Sequence, residues 1–298
     1  MKESVPVEPV LVKTEQIELS GLLARPDGQP ERGLIVALHG GAYTSGYWHF
    51  RGGNGTSLLE IGAALGYWVL ALDRPGYGAS RNFDTARLGL VSQVELLFDA
   101  IEAWRSSSHC AGPVYLIGHS VGGILSLLMA ANVRAGMLGG VDVLGVPMGY
   151  PPTDAGEEVN SWLPEGSHIP VIDDRQRKWL LFGPEGTYDA EAFKHDGTCL
   201  SPMSVAEYRD SLAMPASWAE VLPSIRTPVQ YSLAEYEAIV LTGWAALDKA
   251  RGLLRNSTNC IVHLQKGSGH NSSAHSIARA YHLRAIAFFL ECEALKSI

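Results

Sequence analysis

Ser120 sits at the centre of Gly118-His119-Ser120-Val121-Gly122, between the apolar run Val114–Ile117 and a second apolar run that follows. This order reads as strand, sharp turn and helix, with a hydroxyl at the apex. The G-x-S-x-G spacing has a steric logic. The backbone at Ser120 must be strained to push Oγ out of the turn, and side chains at 118 and 122 would collide with the neighbouring strand and helix. A helix starting at Val121 also aims free backbone N–H groups at the place where negative charge would develop. The same five residues would equally describe a serine that only caps a helix, so the rest of the chain must supply the chemistry.

A serine hydroxyl is a poor nucleophile at neutral pH and needs an adjacent base, which an acid holds in one tautomer. For a nucleophile on a strand-turn-helix the chain order is serine, acid, histidine. His270 fits the base: it stands in Gly267-Ser268-Gly269-His270-Asn271, a glycine-flanked loop between the last strand and the last helix. His39 and His119 belong to glycine motifs at strand ends and shape those turns. His263 lies in a strand, and His275 and His282 fall on the terminal helix. The acid should follow the strand at 228–233, where Ala234-Glu235-Tyr236-Glu237-Ala238 offers two carboxylates; Glu237 is preferred, with Glu235 as the alternative. An oxyanion hole needs two preorganised donors. Val121 N–H is one. The other should come from Gly40-Gly41-Ala42-Tyr43, after the strand ending at His39, with Gly41 first and Ala42 second.

These groups need elements to hold them. Residues 7–24 alternate as one or two early strands making a hairpin. Continuous apolar runs at 33–38, 67–72, 114–117 and 141–146 read as strands buried on both faces. Between them, 56–65, 91–105 and 122–133 read as helices, the second with Val94, Leu97, Phe98, Ile101 and Trp104 at spacings of three and four. The alternation predicts an α/β chain: a parallel sheet with helices on both faces and ligands at the carboxyl ends of the strands, where His39, Asp73 and Ser120 fall. The rhythm stops over 150–223, which is rich in Pro, Gly and acidic residues with interspersed aromatics. That stretch reads as a cap inserted over the strand ends, leaving 1–149 and 224–298 as the core. Strands at 228–233 and 260–264, a helix within 238–254 and a long helix over 274–292 complete the chain.

At 298 residues, 46% hydrophobic and 18% charged, the chain can bury a sizeable core. The net charge of −8 with no basic block argues against nucleic acid or an anionic membrane as a partner. Cys110, Cys199, Cys260 and Cys292 are widely spaced, and reduced thiols are expected. No secretory leader is read at the N-terminus, and no apolar run is long enough to span a bilayer, so a cytoplasmic location is expected. The terminal helix or an edge strand could support a homodimer.

Taken together, Leu38-His39-Gly40-Gly41, Leu72-Asp73-Arg74-Pro75-Gly76-Tyr77-Gly78-Ala79-Ser80, Gly118 to Gly123 and Gly269-His270 resemble the α/β-hydrolase superfamily, over about residues 33–292. The resemblance implies an eight-stranded, mostly parallel sheet, a cap between strands six and seven, and no metal or organic cofactor. One departure stands out: the acid loop of that family often reads Gly-x-x-Asp, and here the matching positions are Ala234 and Glu237. A serine at the elbow argues against epoxide hydrolases and dehalogenases, which the family runs with aspartate.

The expected reaction is hydrolysis of a carboxylic ester or thioester of a small, largely apolar acyl substrate through an acyl-enzyme. The alternatives are a carbon–carbon bond hydrolase, an acyltransferase or a lyase on the same scaffold, or a non-catalytic binding protein. Tyr43, Trp48, His119, Trp162, Trp179 and Trp218 are candidates for lining an apolar acyl pocket, though such aromatics could equally form the insertion's own core. A single arginine, Arg74 or Arg81, could contact a phosphate-bearing carrier.

Overall fold

The computed structural model describes residues 5–26, 28, 30–50, 56–82, 89–152 and 168–296. Strands β1 (Val7–Lys13) and β2 (Glu18–Ala24) form an antiparallel hairpin at one edge of the main sheet. β3 (Gly33–Leu38), β4 (Tyr67–Leu72), β5 (Val114–His119) and β6 (Leu138–Leu144) follow the long apolar runs, and all but one of their residues are buried. β9 (Val229–Tyr236) and β10 (Cys260–Gly269) complete an eight-stranded sheet in the order β1-β2-β4-β3-β5-β6-β9-β10. Every neighbouring pair from β4 to β10 is parallel, and only β1–β2 and β2–β4 are antiparallel. This is the α/β-hydrolase fold.

The two faces carry separate cores, as a sheet buried on both sides requires. α2 (Leu90–Ser108), α3 (Val121–Ala131) and α7 (Trp244–Leu253) pack one face through Leu97, Phe98, Ile124, Leu125 and Leu247. α1 (Leu58–Ala64) and α8 (Ala278–Lys296) cover the other through Leu58, Leu59, Tyr281, Ile286 and Phe289. The strand ladder fixes which ends coincide. Leu38 is level with Leu72 on one side and Gly118 on the other, and His119 is level with Leu144. The residues that follow these positions therefore share one edge of the sheet.

Within the expected cap, β7 (His168–Ile169) and β8 (Met203–Ser204) form a two-stranded antiparallel sheet, with α4 (Asp174–Leu181) and α5 (Ala190–Thr198) between them. Asp173 starts α4 with a reciprocal capping box to Gln176, and Asp189 caps α5 by accepting from Ala192 N–H. α6 (Val205–Val221) returns to the body, and its Met214 and Trp218 join the core that contains α2 and α3. All four cysteines are free thiols. Among the described residues, no helix is long and apolar enough to cross a membrane.

Candidate active site

Ser120 lies between β5 and α3 with φ 51° and ψ −117°, a conformation strained for any residue with a Cβ. Its amide donates to Leu144 O at 2.8 Å and its carbonyl accepts from Ile124 N–H at 2.9 Å, so the strained turn is held at both ends. Its hydroxyl makes no capping bond to α3, which removes the simple cap reading. The flanking glycines are sterically required. A Cβ at 118 would stand 2.5 Å from both Gly122 O and Ser126 Oγ, and one at 122 would overlap the carbonyl oxygen of Leu38.

The candidate acid and base come from neighbouring strand ends. β9 runs on through Tyr236, three residues past the expected end, so Glu235 belongs to the strand and Glu237 is the first residue beyond it. Tyr236 is paired with Gly269, the last residue of β10. The next residue on each chain, Glu237 and His270, therefore emerge side by side. His270 Nδ1 lies 3.0 and 2.9 Å from the two carboxylate oxygens of Glu237. Both side chains are buried, at 2% and 0% exposure. With Nδ1–H donating to the carboxylate, Nε2 is left as the basic nitrogen.

Glu235 has a different task. Lys266 Nζ donates to its Oε1 at 2.8 Å and Gly267 N–H to its Oε2 at 3.0 Å. The lysine holds its carboxyl below the usual carboxylate range. Those partners belong to an irregular stretch of β10, where the register slips between Gln265 and Gly269. That slip delivers Gly269, and not Gly267, opposite Tyr236, so Glu235 braces the bulge that places His270.

Further contacts pin the histidine loop. His119 Nε2–H donates to His270 O at 3.0 Å, and its ring stacks on Tyr47 at 4.5 Å. Gly145 lies beneath the imidazole, since a Cβ there would come within 2.8 Å of His270 Cε1. Leu144, which receives the Ser120 amide, is its immediate neighbour, so the elbow and the His270–Glu237 pair share one corner of the sheet edge. His275 was expected on the terminal helix. Instead it precedes α8, because the loop after His270 runs to Ile277. Its Nδ1–H donates to Asn271 O, while Nε2 accepts from Gly183 N–H and Gly269 N–H, all within 3.0 Å. Burial pushes its pKa down to about 4, which suits a neutral ring with one accepting nitrogen.

A buried cluster ties the insertion to this loop. Asp196 on α5 accepts from Tyr43 O–H at 2.9 Å, Asn271 Nδ2 at 2.9 Å and Arg177 Nη1 at 2.8 Å. Burial raises its carboxyl to about 6, against the pull of Arg177. Neither Asp196 nor His275 carried a local signal, because each also depends on partners far along the chain, Tyr43 and Asn271 for Asp196 and Gly183 for His275.

The aromatic pocket candidates divide. Tyr43 is buried and spends its hydroxyl on Asp196. Trp48 and Trp218 are fully buried, and Trp218 Nε1 donates to Pro147 O at 2.6 Å. These three are core side chains with no surface left for a ligand. Trp179 on α4 is 71% exposed, and His119 is stacked within the site's frame. Trp162 lies outside the described residues. Arg74 is fully buried and paired with Glu207, so it cannot meet a carrier phosphate. Of the oxyanion candidates, Val121 opens α3, while Ala42 holds φ 62° and turns its N–H toward Tyr77 Oη at 3.4 Å. Gly41 faces Met203 and Val121: a Cβ on it would stand 2.7 Å from Met203 Sδ and 3.3 Å from Val121 Cγ2. Among the described residues, no group of His, Cys, Asp and Glu could hold a metal ion.

A strained serine at a strand-to-helix turn, at one sheet edge with a histidine–carboxylate pair from the last two strand ends, defines a class. The family model described as "Alpha/beta hydrolase family" matches residues 35–281, and the chain belongs to that family. Among solved structures, it is similar to a monoglyceride lipase from Saccharomyces cerevisiae (TM-score 0.71, 15% identity, 97% of each chain covered). It is also similar to a monoacylglycerol lipase from Paleococcus ferrophilus (TM-score 0.69, 19% identity, 93% of this chain and 100% of that one). A carboxyl esterase from Bacillus coagulans matches at TM-score 0.67 and 14% identity, over 98% of each chain. In sequence, 109 residues are 27% identical to phospholipase YtpA of Bacillus subtilis, covering 36% of this chain and 38% of that relative's length.

Proposed function

We propose that this protein is a serine hydrolase that cleaves a carboxylic ester or thioester with a largely apolar acyl group. The observation that carries the reading is the buried Glu237–His270 pair, whose Nδ1–H is committed to the carboxylate at 2.9 Å. In the proposed reaction Ser120 Oγ attacks the carbonyl carbon as His270 Nε2 takes its proton. Glu237 steadies the imidazolium that forms. The Val121 and Gly41 amides receive the oxyanion. Collapse of the tetrahedral adduct breaks the bond to the alcohol or thiol, which leaves with the proton from His270. Water then attacks the acyl-enzyme, its proton going to His270, and the carboxylic acid departs with Ser120 restored.

The preference for an apolar acyl group is supported by Met203, whose thioether rests against Gly41 beside the Val121 side chain. The lipase and esterase names of the structural neighbours agree with it. The test is a panel of p-nitrophenyl esters and acyl thioesters from acetyl to dodecanoyl, with Ser120→Ala as the blank. Turnover should vanish in the variant, and a fluorophosphonate should add its mass to Ser120. A Ser120→Ala protein with wild-type rates would remove Ser120 as the nucleophile, and a wild-type protein that neither turns over the panel nor takes the label would leave a binding role instead.

A further inference from the structure

Arg74 follows β4, and its side chain disappears behind the loop 39–42. Its Nε donates to His39 O at 3.0 Å and its Nη2 to Gly40 O at 3.1 Å. The Gly40 carbonyl also accepts from His39 Nδ1–H at 2.8 Å, while His39 Nε2 accepts from Arg74 N–H at 3.1 Å. The Gly40 carbonyl and the Gly41 N–H belong to one planar peptide and point in opposite directions. Two donors on the carbonyl therefore fix the direction of the Gly41 N–H and polarise it, because hydrogen bonds in series strengthen one another.

The guanidinium is held from the insertion. Glu207, in the first turn of α6, accepts from Arg74 Nη1 at 2.7 Å and Nη2 at 3.0 Å. Gln93 Nε2 and Tyr77 O–H donate to the same carboxylate, at 2.9 and 2.7 Å. Tyr77 Oη in turn receives the Ala42 N–H, and its ring lies under the guanidinium at 4.7 Å. Arg74, Tyr77, Gln93 and Glu207 are all at most 2% exposed. A buried ion pair is seldom the best way to stabilise a fold, since apolar side chains of equal volume commonly do as well. What apolar side chains could not supply is a rigid fork of donors aimed at two successive carbonyls.

We infer that Arg74 is a positioning residue that aims and polarises the Gly41 amide, with Glu207 as the counter-charge through which the insertion is coupled to oxyanion binding. This rests on the reading of Gly41 as an oxyanion donor.

The test uses Arg74→Lys and the double variant Arg74→Met/Glu207→Gln, assayed with the fastest substrate of the panel above. A trifluoromethyl ketone carrying the same acyl chain serves as the tetrahedral mimic. Lysine keeps the charge but cannot reach both carbonyls. The double variant removes both buried charges together, so the fold is not left with one unpaired. Both should lose about 10- to 100-fold in kcat, as expected for slight misplacement of a reacting group. KM should move less than about threefold, and affinity for the ketone should fall in parallel with kcat. The pH profile of kcat/KM should stay in place, because the His270–Glu237 pair is untouched. A double variant with wild-type kcat would overturn the inference. So would a ketone affinity that stays unchanged while the rate falls, or a double variant that no longer melts cooperatively, since each would reduce Arg74 to a structural role. Ser120→Ala at wild-type rates would instead overturn the serine-nucleophile reading on which the oxyanion assignment rests, which distinguishes the two failures.

Discussion

The elbow around Ser120 and the loop around His270 meet at the same edge of the sheet but are built in opposite ways. The elbow is a local turn, held from outside by the Leu38 carbonyl and the Leu144 carbonyl. Five consecutive residues set its strain, and the clashes that forbid side chains at 118 and 122 come from β3, the turn itself and the first turns of α3. The histidine loop is assembled from afar. His270 depends on Glu237 for its tautomer, on Glu235 for the bulge in β10, on His119 for its carbonyl and on His275 for the amides around it. The lesson is about vulnerability. A locally built site should fail through its own residues and take the fold with it, whereas a site built by tertiary contacts should lose activity in steps while the fold survives.

The sharpest break of this comparison is Glu237→Gln. The amide cannot hold the imidazole in the same tautomer or stabilise its charged form, so kcat should fall by about 1000- to 10,000-fold with the melting curve nearly unchanged. Equal rates in variant and wild type, read by steady-state kinetics, would remove Glu237 from the mechanism. Next, Gly122→Ala should cost about 2–4 kcal/mol in urea unfolding, because the new methyl meets the backbone of β3, which cannot move aside. A cost under about 0.5 kcal/mol would show that the elbow is less rigid than its contacts require.

Glu235→Gln should fall between these extremes. It removes the ion pair with Lys266 but can still accept from Gly267 N–H, so kcat should drop by about tenfold or less. A loss as large as that of Glu237→Gln would mean that the two carboxylates act as one unit. The smallest effect is expected away from both regions, at Asp142 on β6. Burial raises its carboxyl from 3.8 to about 6, although Gln230 and Tyr281 hydrogen-bond to it. The folded state therefore binds a proton more tightly than the unfolded chain. Its contribution to stability falls as pH rises between those two values, and the penalty is complete above the folded value. Asp142→Asn should flatten thermal stability across that window and add on the order of 1 kcal/mol at pH 8, with turnover unchanged. An unaltered slope in melting temperature against pH would show that another group titrates there.

Much of this architecture could be read before the structure. Gly33–Leu38 and Tyr67–Leu72 begin and end where their apolar runs do, because a strand buried on both faces has no polar residue to blur its limits. Ser120 and His270 were legible for a related reason: glycines mark the turns that carry them. The aromatic residues of the insertion were not legible in this way. Trp218 and Trp179 have the same chemistry, yet one is fully buried under the sheet's helices and the other faces solvent. The place of His275 was hidden too, because the helix that was expected to contain it starts three residues later.

The chain by itself determined the strand-turn-helix at Ser120, the order of the strands' apolar runs and the candidates for acid and base, since each follows from neighbours a few residues apart. Only the tertiary structure brings Glu237, and not Glu235, against the imidazole of His270. They stand two residues apart at the end of β9, and the contact of Glu237 with His270 rests on a register slip in β10, a strand that begins 24 residues after Tyr236. The same holds for Arg74 and Glu207, 133 positions apart, which no local pattern joins. A buried charge declares its partner only when the chain has closed around both.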